Sequence, residues 1–247
     1  MNFMYRGATA SGIQIPTNGL LINYDAAQLR SYPRDGTTTF TDLSGRGNNG
    51  TLTNGAAFNS LNGGSILLDG VDDYISLGVF NPGVNVSLSY WSCICWLRMS
   101  YLLSNRGIVS AYLNNPPTGG YGIGIQSDAG GGKLTLSMYA TKSDGSNYYF
   151  ASTTGMNWDT DYMVAATFDP ASTGYAKIYI NGLFDSSSFF FGGSIINISG
   201  QQYRVGSGTT GSPFMKGYIY SVQTYSVALT ATEILQAYNA TKSRFGL

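Results

Sequence analysis

Short runs of alternating apolar and polar residues, separated by turn residues, recur along most of the chain. Pairs such as Asn54-Gly55, Asp144-Gly145 and Asn181-Gly182 favour tight turns between neighbouring strands. Many short strands at regular spacing are typical of two packed antiparallel β-sheets. The predicted strands are 20–25, 65–69, 74–77, 86–99, 107–113, 121–126, 134–140, 147–151, 162–168, 176–180, 195–199, 203–206 and 218–225.

One segment, residues 230–240, has the pattern of a helix instead. Thr230 and Glu233 have the spacing of a capping box, in which each side chain bonds to the backbone N–H of the other residue. The residues predicted to form its buried face are Ile234, Leu235 and Tyr238. The chain is therefore predicted to be an all-β, two-sheet sandwich with one short C-terminal helix.

The 247 residues fit one sandwich domain, because sandwiches of about 200 to 250 residues are common as single units. We predict an N-terminal arm over 1–17 and the sandwich over 18–247. The arm has no apolar core of signal-peptide length, and no stretch reaches the about 20 apolar residues that span a bilayer. We therefore expect synthesis in a reducing cytoplasm.

Charge is sparse and balanced, with 13 Lys and Arg against 13 Asp and Glu. Without a basic field, neither nucleic acid nor a membrane surface is an expected partner. The chain uses 33 Gly and 19 Tyr in place of charge, which suits turns and half-buried strand faces.

Cys93 and Cys95 are the two cysteines, and both fall in one apolar run. Residues two apart on a strand point to the same face, and a bond between them would strain the strand severely. Both are predicted to be free, buried thiols.

The chain contains no histidine, which excludes Ser-His and Cys-His catalysis and His-ligated metals. Two cysteines alone cannot complete a zinc site. No strand carries alternating carboxylates of the kind that glycoside hydrolases use, so no catalytic residue is expected and the protein is not predicted to be an enzyme.

Acidic turns leave one open question about metal binding. Calcium prefers carboxylate and carbonyl oxygens, which Asp42, Asn48, Asp69, Asp72 and Asp73 could supply. Asp and Asn in turns also cap backbone N–H groups without any ion. We predict no obligatory cofactor, with calcium as the alternative at these five residues.

Four segments combine aromatic, apolar and turn residues: Trp-Ser-Cys-Ile-Cys-Trp-Leu-Arg at 91–98, Met-Val-Ala-Ala-Thr-Phe-Asp at 163–169, Lys-Ile-Tyr-Ile-Asn-Gly at 177–182, and the closing segment 214–222. Together they resemble the concanavalin A-like lectin and glucanase superfamily, in its laminin G-like branch. The resemblance implies a jelly-roll sandwich. This fold hosts lectins, hydrolases, adhesion modules and virion proteins, so it does not by itself define a function.

A narrower resemblance is carried by segments 19–25, 31–33, 42–45, 48–55, 63–65, 68–74 and 238–247. These segments resemble laminin G-like structural proteins of tailed bacteriophages. It implies a non-enzymatic virion component, such as a capsid decoration, neck or tail-fibre protein. Its implied partners are other virion proteins and further copies of the same chain.

A carbohydrate-binding adhesin that recognises host-surface glycans is the alternative function. Aromatic and amide side chains in loops and strand ends could then contact sugar rings. The candidate ligand-binding residues are Tyr112, Asn114, Asn115, Tyr148 and Tyr149.

Overall fold

A computed structural model describes residues 14–79, 91–101, 106–113, 119–127, 133–141, 145–169, 175–189, 202–208 and 214–247. In this part of the chain, two eight-stranded antiparallel sheets form a sandwich. The predicted fold class is confirmed.

Sheet A has the spatial order β14 (Leu183–Phe189), β13 (Tyr175–Ile180), β12 (Asp161–Asp169), β7 (Trp91–Met99), β16 (Lys216–Tyr225), β5 (Ser65–Asp69) and β4 (Ala57–Asn59), and β1 (Leu20–Asp25) pairs with β16. Sheet B has the order β11 (Asn147–Ala151), β10 (Leu134–Thr141), β9 (Gly119–Ser127), β8 (Arg106–Leu113), β15 (Gln202–Val205), β6 (Tyr74–Val79), β3 (Gly50–Thr53) and β2 (Thr39–Phe40).

The strand predictions that fall in the described residues agree with the structure to within about two residues at each end. Residues 86–90 and the predicted strand 195–199 lie outside the described residues. The sequence pattern missed β2, β3, β4 and β14. The first three are too short to show alternation, and β14 contains the polar run Asp-Ser-Ser-Ser.

The main core lies between the sheets and includes both cysteines. Cys93 and Cys95 are fully buried on β7, and neither forms a disulfide, as predicted. Burial raises the pKa of the Cys93 thiol well above its ordinary value. The two thiols therefore act as small apolar side chains.

The helix α1 (Ala231–Thr241) begins after Thr230, and both hydrogen bonds of the predicted capping box are present. Its buried residues are Ile234 and Ala237. The prediction for Leu235 was wrong, because its side chain is 39% exposed and Ala237 occupies the buried position instead. Among the described residues, no helix has the length and apolar content needed to cross a membrane.

The helix and the C-terminal turn that follows it (Lys242–Phe245) pack on the outer face of sheet A. The Trp96 ring stacks against both Tyr238 and Phe245, with centroid distances of 5.8 and 3.9 Å. The Trp96 indole Nε1 donates a hydrogen bond of 2.8 Å to Thr241 Oγ1. Sheet A is thus covered on both faces, which explains why eight of the nine β7 residues are buried.

Candidate functional site

One row of paired residues crosses sheet B from edge to edge. From β11 to β2, this polar row consists of Tyr149, Tyr139, Gly122, Ser110, Arg204, Ser76, Thr51 and Thr39. Directly paired residues on antiparallel strands lie on the same face of a sheet. The neighbouring row includes the core residues Met138, Val109, Val205, Ile75 and Leu52. The polar row therefore lies on the outer face, away from the core.

The polar row is most buried at its centre. Ser110 is 2% exposed, whereas Tyr149 at the β11 end is 46% exposed and Thr51 near the other end is also exposed. Tyr139 and Arg204 on either side of the centre are half-buried. The row is thus a recessed strip of hydroxyl groups with an exposed aromatic ring at one end.

Alternate glycines of β9 contribute no side chains to the middle of this strip. Gly120, Gly122 and Gly124 alternate along the strand, so all three belong to the outer face. Gly122 separates Tyr139 from Ser110, and it places no side chain between them. A glycine within a strand commonly marks a site where a ligand approaches the backbone closely.

Tyr139 has an unsatisfied hydroxyl group. Its oxygen is buried and has no hydrogen-bond partner among the described residues. Burial raises the pKa of the Tyr139 phenol, while the nearby Ser110 hydroxyl acts in the opposite direction. Ser110 Oγ itself donates to the Ser207 carbonyl at 2.8 Å. A buried hydroxyl without a hydrogen-bond partner is costly to the fold.

Arg204 occupies the fifth position of the polar row and is held in a fixed orientation. Its guanidinium carbon lies 4.6 Å from the centroid of the Tyr74 ring, and its Nη2 donates a hydrogen bond of 2.6 Å to Gln202 Oε1. No Asp or Glu occurs in any of the eight strands of sheet B. Arg204 is therefore a cation on the outer face of sheet B, and the strands of that sheet supply no acidic residue to pair with it.

The structure separates the predicted ligand-binding residues. Tyr149 lies on the polar row, whereas Tyr148 packs against the core. Consecutive strand residues point to opposite faces, so these two rings do not share one surface. Tyr112 pairs with Gly120 and Gln202 by its backbone position; its side chain lies outside the described part of the chain, as do Asn114 and Asn115. A role in ligand binding stays a prediction for all five of these residues.

Asp42 and Asn48, predicted as possible calcium ligands, make hydrogen bonds with the chain itself. Asp42 accepts from the backbone N–H groups of Asn23, Ser44 and Asn48, at 2.9 to 3.1 Å. The Asn48 side-chain amide donates to the Leu21 carbonyl at 2.7 Å. These bonds hold the turn after β2 against β1, which accounts for both residues structurally.

Asp69, Asp72 and Asp73 form a cluster whose carboxylate oxygens lie within 4.8 Å of one another; Asp42 is not a member. Asp69 Oδ1 accepts from the Val71 N–H at 2.7 Å, and Asp73 Oδ2 accepts from the Asp69 N–H at 2.9 Å. Asp73 Oδ1 is buried without a partner among the described residues. Burial and the two neighbouring carboxylates raise the pKa of Asp73. The cluster fits a hard cation such as calcium, which stays a prediction.

Sequence reasoning did not identify Tyr139, Ser110 or Arg204 as site residues. Two signals were present in the sequence, namely the alternate glycines at 120, 122 and 124 and the absence of acidic residues from the strands of sheet B. Neither signal is informative until strand pairing places these segments side by side.

A family model described as the concanavalin A-like lectin/glucanases superfamily matches residues 69–235. No curated protein sequence matches the chain. The family match begins at the last residue of β5, includes β6 to β16 in full, and ends within the first half of α1.

Solved structures with the same fold include binding domains of toxins and a domain of a glycan-degrading enzyme. The binding domain of Paraclostridial Mosquitocidal Protein 1 has a TM-score of 0.68 at 14% identity, covering 91% of this chain and 52% of its own. The botulinum neurotoxin serotype G binding domain has a TM-score of 0.64 at 18% identity, and the match covers 89% of this chain and 50% of that structure. This chain thus spans about half the length of either toxin structure.

Domain 4 of the extracellular arabinanase AbnA of Geobacillus stearothermophilus, solved in complex with arabinotriose, has a TM-score of 0.62 at 19% identity. The match covers 89% of this chain and 98% of that domain. At these identities the three likenesses establish the fold alone.

Proposed function

The chain belongs to the concanavalin A-like lectin/glucanases superfamily, and we propose that it is a lectin-like domain that binds glycans on the polar row of sheet B. The observation that carries this proposal is the row itself, which brings hydroxyls, an exposed tyrosine ring and a guanidinium group onto one face. The arabinotriose complex of the arabinanase domain lends support, since that domain matches this chain over nearly all of its length.

The chemistry of the polar row suits a sugar chain. Sugar rings present hydroxyl groups at their edges and apolar C–H groups on their faces. Ser76, Thr51 and Thr39 offer accessible hydroxyls along the strip, and the exposed Tyr149 offers a ring for stacking. Seven intervals between eight strands, at about 4.8 Å each, give the row a length of about 34 Å. An oligosaccharide suits this length better than a single sugar.

Binding of a polysaccharide panel, measured by affinity electrophoresis and calorimetry, tests the proposal. Tyr149→Ala is expected to weaken binding about tenfold, because it removes one stacking contact of about 1.4 kcal/mol. Tyr101→Ala is the matched control, since Tyr101 is 52% exposed and lies outside sheet B. Equal loss in both variants, or no binding to any polysaccharide, would contradict the proposal.

Tyr139→Phe separates binding from stability. Removing a buried hydroxyl that lacks a partner is expected to leave the melting temperature unchanged or raise it. If the hydroxyl donates to the glycan, the same variant binds more weakly. A loss of stability without a loss of affinity would assign Tyr139 to the fold alone.

We also propose that the domain is carried on a virion, as a capsid decoration, neck or tail-fibre protein, with the glycan face turned towards the host. An exposed aromatic ring on the opposite side of the sandwich favours attachment there. Phe184 is 55% exposed on β14, which contacts α1, and it packs against Tyr179 on the outer face of sheet A. The Gln236 side chain of α1 donates to the Gln14 carbonyl at 2.6 Å, so the described end of the N-terminal arm also lies beside α1.

Incorporation into particles tests the attachment. A variant lacking residues 1–16 is expected to fold and to retain glycan binding but not to join particles. The intact protein is expected to stay attached at moderate salt, because apolar contacts are not weakened by ionic screening. Full occupancy by the shortened variant, or loss of the intact protein in moderate salt, would contradict this mode of attachment.

A further inference from the structure

The two sheets differ sharply in charge. The strands of sheet B contain no acidic residue and two arginines, Arg106 and Arg204. The strands of sheet A contain five acidic residues, Asp25, Asp69, Asp161, Asp169 and Asp185, and three basic ones, Arg98, Lys177 and Lys216. The formal charge of the strands is therefore +2 in sheet B and −2 in sheet A, which makes sheet B the positive side of the strand framework.

Arg204 also differs from the other half-buried arginines of the described residues. Arg98 pairs with Asp161 at 2.6 Å, and Arg244 pairs with Asp25 at 2.7 Å. Arg204 has no carboxylate partner in the described part of the chain, and its only hydrogen bond there goes to neutral Gln202. A half-buried guanidinium loses part of its hydration, which is offset in the other two cases by an anion.

The orientation of Arg204 suits capture of an anion from outside. The Tyr74 ring supports one face of the guanidinium group, and Gln202 engages Nη2, so Nε and Nη1 have no hydrogen bond among the described residues. The planar fork of arginine matches the two oxygens of a carboxylate or sulfate group. Ser110 and Ser76 pair with Arg204 on either side, placing two hydroxyls beside it on the same face.

Building on the proposed glycan function, we infer that the ligand is an acidic glycan, whose carboxylate or sulfate group is bound by Arg204 near the centre of the polar row. Neutral sugars on either side of the acidic one would contact the hydroxyls and Tyr149. The acid group thus determines the register of the sugar chain on the sheet.

Affinities for matched neutral and acidic polysaccharides test this inference. Galactan is compared with polygalacturonate, and dextran with dextran sulfate. The protein is expected to bind at least one acidic member about 10- to 100-fold more tightly than its neutral partner, which is the usual range for hydrogen bonds to a charged group. Preference for polygalacturonate alone identifies a carboxylate, and preference for dextran sulfate alone identifies a sulfate; either result supports the inference.

Variants of Arg204 separate this inference from general charge attraction. Arg204→Gln is expected to abolish the preference while retaining binding to neutral glycans, and Arg204→Lys to restore it in part. Arg34→Gln is the matched control, because Arg34 also lies 4.6 Å over an aromatic ring, that of Phe58, but lies outside the strands of sheet B. An equal loss in the control, or equal affinity of the intact protein for neutral and acidic members, would overturn the inference.

Failure of the inference differs from failure of the proposed function. Binding of neutral glycans with no acid preference would leave the lectin-like function intact. No binding to any member of the panel would overturn both.

Discussion

The Asp161 carboxylate accepts hydrogen bonds from three side chains close to the C-terminal turn. Replacing Asp161 with Asn tests how much these bonds contribute to the stability of the fold. The Asp161 carboxylate accepts from Arg98 Nε at 2.8 Å and Arg98 Nη2 at 2.6 Å, from the Tyr220 hydroxyl at 2.5 Å, and from Asn62 Nδ2 at 2.8 Å. Arg244 Nε in turn donates to the backbone carbonyl of Asn62 at 2.6 Å. One carboxylate therefore connects β7, β16 and the turn before β5 to the C-terminal turn.

The expected loss of stability follows from burial and charge. The Asp161 side chain is 12% exposed and that of Arg98 is 27% exposed, so the pair is largely but not fully desolvated. Removing one partner of a buried ion pair costs about 3 to 5 kcal/mol of stability. Because both side chains keep some exposure to solvent, we expect a cost at the lower end of this range. We expect Asp161→Asn to cost about 3 kcal/mol, or about 6 to 12 °C in melting temperature for a chain of this size.

The pH dependence provides a second readout. Burial raises the pKa of Asp161, but hydrogen bonds from Arg98, Tyr220 and Asn62 outweigh burial and hold the pKa below its ordinary value. A carboxylate with a lowered pKa stabilises the fold above its unfolded pKa of about 3.9, and this contribution is lost as pH falls through the lower folded value. The intact protein should lose stability from Asp161 below about pH 4, and the variant should lack that part of the loss.

Thermal and urea unfolding of the variant, between pH 2 and pH 7, measures both effects. Asp35→Asn is the control, because the exposed Asp35 accepts one backbone hydrogen bond, from Thr37, that Asn can also accept. The reasoning is refuted if Asp161→Asn costs no more than the control, or if it leaves the acid dependence of the intact protein unchanged.

Three further predictions concern the helix cap, the thiols and the acidic cluster. Joint replacement of Thr230 and Glu233 by Ala should cost about 1 to 2 kcal/mol in urea unfolding, and an unchanged stability would refute the role of the capping box. Thiol titration should detect Cys93 and Cys95 only after denaturation, since both are buried; fewer than two thiols in denaturant would indicate a disulfide. EDTA should leave the melting temperature nearly unchanged, because backbone N–H groups of the same turn already bond to the carboxylates of Asp69 and Asp73. A large fall in melting temperature that calcium restores would instead show that the unpaired Asp73 oxygen binds an ion.

Local patterns predicted the strands and the helix because their signals lie within a few residues. Alternation identified β10, an apolar run identified β12, and the three-residue spacing of Thr230 and Glu233 located the helix start. The same reasoning failed at β14, where serines replace the apolar positions that alternation needs. It also failed at Leu235, since which side of a helix is buried depends on the surface that it meets.

The two thiols show how far a local argument reaches. Their spacing alone placed Cys93 and Cys95 on one face of a strand, and the buried, unbonded pair agrees with it. Spacing did not indicate that both faces of that strand are covered. The cover on the second face comes from α1 and Phe245, far along the chain.

The candidate site depends on pairing between distant segments. The sequence by itself determined the residue types of sheet B, including its alternate glycines and its lack of acidic residues. Only the tertiary structure brought Arg204 between Ser110 and Ser76, and placed Tyr139 across Gly122 from Ser110. Strand register is set by core packing across the whole sheet, and no local pattern encodes which strands become neighbours.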